Sequence, residues 1–258
     1  MLLAIDIGNT QIVFGEFSAE RMRGNWRLTT LPQRTADECY TQVLAFCGTY
    51  DISPETLTEV AISSVVPAMT ASFLRMVKDR MPQVSEPFVL APQDYPFIKI
   101  MYDTPKAVGA DRICNAVAGF ARFGGPLIIV DFGTATTFDV VNARGDYLGG
   151  IIAPGIETST AELHRRAAKL FKVDLKFPPS VIGTSTETSM QSGTMFGELE
   201  KIEGLVRRIW EEMGQEGKVI ATGGLAPLLA ERSAVISEVI PFLVLEGLNR
   251  IYHQMRQR

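Results

Sequence analysis

The sequence predicts an α/β protein built from two duplicated halves. Its 258 residues suffice for one large domain or two small ones. Short apolar strands alternate with segments of helical periodicity, and one strand–turn–strand pattern occurs twice. Residues 2–17 read LLAIDIGNTQIVFGEF, and residues 127–142 read LIIVDFGTATTFDVVN. Asp6 and Asp131 are therefore 125 residues apart, about half the chain, which is the spacing that a duplication predicts.

Capping and periodicity place the elements of the first half. Thr35-Ala-Asp-Glu38 resembles a capping box that opens a helix, and apolar residues follow it at i, i+3 and i+4. A buried strand is predicted at Glu59–Ser63, followed by a helix that carries Met69 and Phe73. A further helix is predicted over Val108–Phe123.

In the second half, the clearest helix is predicted from about Ser189 to Met213. A short buried strand at Lys218–Ala221 ends in Thr222-Gly-Gly224. Because the chain contains no Ser/Gly-rich linker, we expect the halves to pack directly on each other. We place the N-terminal domain at residues 1–117 and the C-terminal domain at residues 118–258.

Composition excludes several classes of function. With 25 Lys and Arg against 29 Asp and Glu, the net charge of −4 gives no overall attraction to nucleic acid or anionic membranes, and neither is predicted as a partner. No apolar run approaches the ~20 residues that span a bilayer. Cys39, Cys47 and Cys114 lack zinc-type spacing and predict reduced, buried thiols. We therefore expect a cytoplasmic protein.

The two Asp-x-Gly turns predict phosphate binding. Glycine lets a backbone turn tightly and approach a ligand, and the N–H groups of such a turn donate to phosphate oxygens. The Asp6 carboxylate would repel phosphate unless a hydrated Mg²⁺ lay between them. The same reasoning applies to Asp131–Thr137, so two such loops would clamp a polyphosphate. The alternative for each loop alone is an ordinary hairpin turn.

Two further glycine segments carry weaker signals. Gly149–Gly155 is predicted to end a strand and open a helix, and Thr222–Gly224 leaves room for a planar nucleoside base. Plain turns are the default interpretation of both.

Gly109-Ala-Asp-Arg112 is the strongest candidate for chemistry. It is expected to open a helix, so Asp111 falls in the first turn, where its charge suits the helix dipole. Asp111 would then be a general base and Arg112 a cation for an anionic substrate. The alternative is a structural ion pair between the two. Tyr102, in a polar loop upstream, is a candidate pocket residue.

At this point the ordered motifs can be compared with a known family. The chain resembles, over its whole length, the type III pantothenate kinases of the actin/hexokinase/Hsp70 ATPase superfamily. The resemblance implies two duplicated RNase H-like (actin-like ATPase) domains, each a mixed sheet flanked by helices. The motifs are DIGNT at 6–10, GADR at 109–112, DFGTATTFD at 131–139, GGIIAPG at 149–155, TSMQSG at 188–193 and TGG at 222–224.

The resemblance also implies a reaction, in which ATP phosphorylates pantothenate to 4′-phosphopantothenate in the first step of coenzyme A biosynthesis. It makes Asp111 the proton acceptor, Asp131 the ligand of a monovalent cation (K⁺ or NH₄⁺), and the protein a homodimer that uses Mg²⁺. The implied pantothenate contacts are Tyr102, Gly109, Ala110, Asp111, Arg112 and Thr186. The implied ATP contacts are Asp6, Ile7, Gly8, Asn9, Thr10, Gln11, Ile12, Val13 and Thr134.

Two alternatives stay open. One is another small-alcohol kinase of the same superfamily, although such kinases are usually longer and the GADR segment favours pantothenate. The other is an accessory transcriptional regulator of the same family. The intact glycine loops, Asp111 and the acidic chain argue against a purely regulatory role.

Overall fold

The computed structural model describes residues 1–91, 98–167 and 170–256. Within these ranges the chain forms ten strands and seven α-helices. The strands are β1 (Leu2–Ile7), β2 (Gln11–Ser18), β3 (Arg21–Thr29), β4 (Glu59–Ser64), β5 (Phe88–Val89), β6 (Leu127–Phe132), β7 (Ala135–Val141), β8 (Tyr147–Pro154), β9 (Lys218–Gly223) and β10 (Glu238–Val239). The helices are α1 (Ala36–Thr49), α2 (Pro67–Arg80), α3 (Ala110–Phe123), α4 (Ile156–Arg166), α5 (Thr186–Met213), α6 (Ala226–Ala230) and α7 (Leu243–Arg256).

The strands form two five-stranded sheets of identical topology. Their orders are β3-β2-β1-β4-β5 and β8-β7-β6-β9-β10. In each sheet the first three strands along the chain pair antiparallel, and the last two add in parallel. The repeat extends to the register, because Asp6 lies opposite Ser63 in one sheet and Asp131 lies opposite Thr222 in the other. The predicted α/β class with two mixed sheets flanked by helices is confirmed.

The first sheet is covered by helices on both faces. Alternate residues of β1 and β4 pack with α1 and α2, where the Phe14 ring makes T-shaped contacts with Phe46 and Phe73 at 6.2 and 5.7 Å between ring centres. Residues on a strand alternate between faces, so Asp6 and Ser63 lie on the opposite face. That face meets α7, whose Leu245 approaches Gly15 of β2.

The second sheet repeats this arrangement. Ile128, Val130 and Phe132 of β6 pack in one buried cluster with the apolar stripe of α5. Asp131 alternates with these residues and therefore lies on the other face. Burial of such stripes contributes roughly 25 cal/mol per Å² of apolar surface, so the packing of α5 stabilises this sheet.

The chain divides into two compact units. Unit 1 contains residues 1–98, 102–118 and 243–258, and unit 2 contains residues 99–101 and 119–242. Helix α3 has residues in both. The domains 1–117 and 118–258 describe a duplication along the chain and stay a prediction. The units describe packing, in which the C-terminal helix α7 joins the first sheet.

Most predicted elements are confirmed, with corrections at helix ends: α3 begins at Ala110 rather than Val108, and α5 begins before Ser189. The capping box at Thr35 and Glu38 is present in α1. Helix α5 begins at Thr186, one turn earlier than predicted. Its capping box uses Thr188 where the usual sequence pattern has Glu or Gln, so the sequence did not indicate the earlier start. The segment Gly149–Gly155 ends a strand and opens a helix, as predicted, because β8 ends at Pro154 and Gly155 is the N-cap of α4.

The three cysteines are buried and unpaired, as the sequence predicts. Among the described residues, no helix combines the length and apolar character that a bilayer span requires.

Candidate active site

The first Asp-x-Gly turn is a three-residue hairpin loop between β1 and β2. The Gly8 N–H donates to the Gln11 carbonyl at 3.0 Å, and Asn9 and Thr10 are exposed. Thr30, just after β3, braces the loop with two bonds. Its hydroxyl donates to the Gly8 carbonyl at 2.7 Å, and its N–H donates to the Thr10 carbonyl at 2.9 Å. The loop is thereby fixed while its tip stays open to a ligand.

The second turn repeats this bracing in the other unit. The Gly133 N–H donates to the Ala135 carbonyl at 3.1 Å, and Gly133 and Thr134 are exposed. The Thr134 carbonyl accepts the Gly155 N–H at 3.2 Å and the Thr158 hydroxyl at 2.7 Å. A Cβ at Gly155 would overlap the carbonyls of this loop, so the start of α4 can brace it only through glycine.

The two aspartates lie at matching ends of the central strands. Asp6 is half-buried, and the Ser63 hydroxyl donates to its Oδ1 at 3.0 Å. Asp131 is also half-buried, and a Cβ at Gly223 would come within 2.7 Å of its Oδ1. Gly223, the last residue of β9, has φ +91°, and its closeness to Oδ1 places the start of the predicted glycine turn beside this carboxylate.

Asp111 occupies the first turn of α3, as predicted. Its Oδ1 accepts the Arg112 N–H at 2.8 Å. Burial raises the pKa of the Asp111 carboxyl above its usual value, while this backbone bond and the charge of Arg112 act in the opposite direction. A Cβ at Gly109 would overlap Oδ1, which explains the glycine two residues earlier.

The remaining candidate substrate residues have different exposures. Ala110 and Arg112 are buried, whereas Tyr102 is exposed. Thr186 is exposed at the first position of α5, inside the turn capped by Ser185.

Thr186 also borders a cavity of about 780 Å³ between α4 and α5. The buried Glu198 lines this cavity, accepts the Thr136 hydroxyl at 2.8 Å and pairs with Lys201 at 2.6 Å. Because Thr136 lies on β7, two residues after Thr134, Glu198 connects the cavity wall to the second hairpin.

The predicted residues fall into two groups. Unit 1 holds residues 6–13, Tyr102 and 109–112, and unit 2 holds Asp131, Thr134 and Thr186. Within unit 1, burial raises the pKa of the Cys114 thiol, and the charges of Asp6 and Asp111 add to this rise. Unit 1 therefore holds both the first phosphate loop and the proposed base.

Sequence reasoning missed Ser63, Thr30 and Thr158 as supporting residues. A signal for Ser63 was available, because it ends a buried strand as Thr222 does in the other half. The bracing bonds of Thr30 and Thr158 could not be predicted from the sequence. They join segments that touch only after the third strand of each sheet has folded back.

The carboxylate oxygens near the two loops suit a cation that is bound mainly by the phosphates of a nucleotide. Among the described residues, no group of three or more His, Cys, Asp or Glu side chains is placed to hold a metal. Mg²⁺ is commonly bound by one or two carboxylates, waters and substrate phosphates, so Asp6 beside an exposed loop fits it. Asp131, beside Gly223 and an exposed hairpin, offers the oxygen ligands that a monovalent cation takes.

Comparison with known proteins agrees with this geometry. The family model of the type III pantothenate kinases matches residues 2–208. A type III pantothenate kinase from Thermomicrobium roseum is 45% identical over 258 residues, covering 100% of this chain and 98% of that protein. One from Roseiflexus castenholzii is 46% identical over 257 residues, covering 100% of both.

Solved structures show the fold. A protein described as a Baf family transcriptional activator, from Campylobacter jejuni, is 20% identical with a TM-score of 0.62, covering 99% of this chain and 100% of that one. A protein described as a 2-dehydro-3-deoxygalactonokinase, from Sinorhizobium meliloti, is 12% identical with a TM-score of 0.57, covering 99% and 97%. At these identities the likeness concerns architecture alone. The full-length relatives and the matching family model establish that this chain belongs to the type III pantothenate kinase family.

Proposed function

We propose that this chain transfers the γ-phosphoryl group of ATP to the terminal hydroxyl of pantothenate, with Asp111 accepting the hydroxyl proton. The observation that carries the proposal is the oriented carboxylate of Asp111, whose Oδ1 accepts the Arg112 N–H, in the same compact unit as the braced loop that follows Asp6. Phosphoryl transfer depends on positioning and on charge neutralisation more than on covalent chemistry by the protein. A nucleotide loop and a carboxylate base in one compact unit supply both requirements.

Asp111 suits the role of base for two reasons. Its raised pKa lies closer to working pH than that of an ordinary aspartate, which improves proton transfer. Its Oδ1 already accepts the Arg112 N–H, so the carboxylate is oriented before substrate binds. The second oxygen is the one we assign to the pantothenate hydroxyl.

The exposed residues Asn9 and Thr10 at the tip of the loop support phosphate binding by the segment from Asp6 to Val13. Thr134 would add a contact from the second hairpin, whose backbone is equally exposed. Asp6 would hold Mg²⁺ through its carboxylate, directly or through water. When bound, this ion offsets negative charge on the phosphates.

Tyr102, residues 109–112 and Thr186 are proposed as the pantothenate contacts. Pantothenate carries a carboxylate, so Arg112 is assigned to its charge and the hydroxyl groups of Tyr102 and Thr186 to its polar atoms. The exposed positions of Tyr102 and Thr186 are compatible with contact to a small molecule.

Asp131 is proposed as the ligand of K⁺ or NH₄⁺. We expect activity to collapse when Na⁺ replaces these ions at constant ionic strength, because the smaller ion suits a different ligand spacing. Initial rates in matched chloride salts test this. Equal rates in all three salts would remove the cation role of Asp131.

Two properties of the whole molecule belong to the same proposal, a homodimer and a cytoplasmic location. Ile152, Val181 and Ile182 are exposed by 65%, 64% and 81%, and we assign these apolar side chains to the proposed dimer interface. The buried, unpaired cysteines suit a reducing compartment. Sedimentation at several concentrations tests the dimer.

The deciding experiment is ADP release with ATP, Mg²⁺ and K⁺, with and without pantothenate. We expect pantothenate-dependent release and a product heavier by one phosphate. Asp111→Asn should keep the fold and lose roughly 10²–10⁴-fold in kcat. Asp79→Asn, on the exposed end of α2, is the matched control and should leave the rate unchanged.

Each result has a defined consequence. A rate that does not depend on pantothenate would transfer the assignment to another small alcohol or to the regulatory role. An Asp111→Asn variant within a few-fold of the parent would remove Asp111 as the base while leaving the kinase activity in place.

A further inference from the structure

Ser63 contacts the aspartate of the first phosphate loop from the neighbouring strand. It lies near the carboxyl end of β4, opposite Asp6 in the parallel register, and its side chain is fully buried. Its hydroxyl donates to Asp6 Oδ1 at 3.0 Å. A hydroxyl buried in an apolar strand at this point fixes one rotamer of the carboxylate.

Cys114 approaches the same hydroxyl from helix α3. The thiol is fully buried one turn after Asp111, and it lies beside the Ser63 side chain. Burial raises the pKa of this thiol well above its usual value, so it stays protonated. Since the Ser63 hydroxyl donates to Asp6, we assign the protonated Cys114 thiol as a donor to the Ser63 oxygen. The chain of donors therefore runs from Cys114 to Ser63 to Asp6.

The backbone at Cys114 is itself fixed by α7. Gly247 approaches so closely that a Cβ there would overlap the Cys114 carbonyl group. Cys114 therefore has a defined position, and Asp111 lies one turn earlier on the same helix, α3.

We propose that Ser63 is a positioning residue that orients Asp6 for the magnesium–nucleotide and ties that orientation to the helix that carries Asp111. The inference rests on the proposed function for the identity of the ligand at Asp6. Ser63 itself touches neither substrate nor nucleotide in this proposal; it acts through Asp6.

The second half of the molecule supports the need for a hydroxyl. There the residue opposite Asp131 is Thr222, which is also buried. The duplicated fold thus places Ser or Thr beside each strand-end aspartate. Threonine at position 63 is therefore expected to supply the same donor with one added methyl group.

The test compares Ser63→Ala, Ser63→Thr and a matched control. The control is Ser64→Ala, because the adjacent Ser64 hydroxyl bonds only within its own turn, with Thr70 and the Val66 N–H, among the described residues. The readouts are the Kd for Mg·ADP by calorimetry, KM and kcat for each substrate, and the thermal midpoint of unfolding.

We expect Ser63→Ala to weaken Mg·ADP binding and to raise KM for ATP by about tenfold, since a hydrogen bond to an ionised group contributes roughly this factor or more. KM for pantothenate should stay within about twofold. Ser63→Thr should restore the parent values to within about threefold, and Ser64→Ala should not change them.

Cys114→Ala tests the interaction between Cys114 and Ser63. It should weaken Mg·ADP binding less than Ser63→Ala does. The variant that combines Ser63→Ala with Cys114→Ala should bind Mg·ADP as tightly as Ser63→Ala alone, because Cys114 acts on Asp6 only through Ser63. Additive losses would show that Cys114 acts independently and would overturn this part of the inference.

Other outcomes overturn the role of Ser63. These are an unchanged Mg·ADP affinity in Ser63→Ala, an equal loss in Ser64→Ala, or a failure of Ser63→Thr to rescue. The binding arm needs no pantothenate. If the parent protein binds Mg·ADP but does not phosphorylate pantothenate, the proposed function fails while the role of Ser63 is still decided.

Discussion

At the scale of single residues, Gly109 and Asp111 form a pair. The carboxylate of Asp111 turns back over the start of α3 and occupies the space where a Cβ of residue 109 would lie. Its Oδ1 is fixed there by the Arg112 N–H. The glycine at position 109 is thus a condition for the orientation of the proposed base rather than a point of backbone flexibility.

Gly109→Ala should therefore damage catalysis more than folding. We expect kcat to fall by about tenfold or more, because the added methyl displaces the Asp111 carboxylate from its rotamer. Gly48→Ala in α1 is the control, since a Cβ there meets nothing within 4 Å and alanine favours a helix. Steady-state rates and thermal midpoints are measured on both. A fully active Gly109→Ala variant would contradict the orientation argument.

The raised pKa of Asp111 predicts a pH dependence of turnover. The base must be ionised, so kcat/KM for pantothenate should fall as pH decreases through the raised pKa of this carboxyl, at a pH above its ordinary value of 3.8. A pH–rate profile of the parent protein measures this limb. Persistence of the same limb in the residual activity of Asp111→Asn would assign it to another group.

At the scale of secondary-structure elements, the crossing of α3 and α7 sets the position of the proposed base. Gly247 lets the two backbones meet at Cys114. Helix α7 also covers the first sheet, and Asn249 of this helix donates to the Ala19 carbonyl at 3.1 Å, in the turn between β2 and β3. The last helix of the chain therefore stabilises a site that belongs to the first half.

Gly247→Ala should push the backbones of α3 and α7 apart where they cross. Overpacking against backbone costs typically 1–3 kcal/mol, and we expect a loss of this size in the free energy of unfolding. Gly204→Ala in α5 is the matched control, because a Cβ there meets only the end of Arg207 at 3.8 Å. Urea denaturation of both variants measures the difference. Equal stability of the two would refute the close-packed crossing.

At the scale of the whole molecule, the buried carboxyl group of Glu16 makes the stability of the fold depend on pH. Glu16 of β2 is fully buried, and neither carboxylate oxygen has a hydrogen-bond partner among the described residues. The Nε of Arg23, on an about half-exposed side chain, lies 3.9 Å from Oε2. Burial raises the pKa of Glu16, against the smaller effects of Arg23 and the N-terminal ammonium group.

The sign of the resulting pH effect follows from linkage. A folded-state pKa above the unfolded value, here 4.5, favours the native state below that pH, and the contribution is lost as pH rises through the folded pKa. Glu16→Gln should therefore raise the unfolding midpoint at neutral pH, with the gain shrinking toward pH 4. Glu20→Gln, 89% exposed, is the control and should show no such trend. A gain independent of pH would rule out ionisation of Glu16 as the cause.

The sequence by itself determined the duplication and the local elements. The repeat of apolar strand and Asp-x-Gly turn is a pattern of neighbouring residues, so it predicted β1–β2 and β6–β7 correctly. Helix periodicity likewise predicted α1, α2 and most of α5. The ordered motifs identified the family, which the full-length relatives confirmed.

Only the tertiary structure decided which distant residues support the turns. Ser63 reaches Asp6 through the parallel pairing of β1 and β4, and Thr158 reaches Thr134 through the fold-back of β8 into α4. The assignment of α7 to the first sheet joins residues more than 200 positions apart, as the bond from Asn249 to Ala19 shows. Local sequence encodes propensity and periodicity, whereas such partners are selected by burial of the whole core, which no single segment contains.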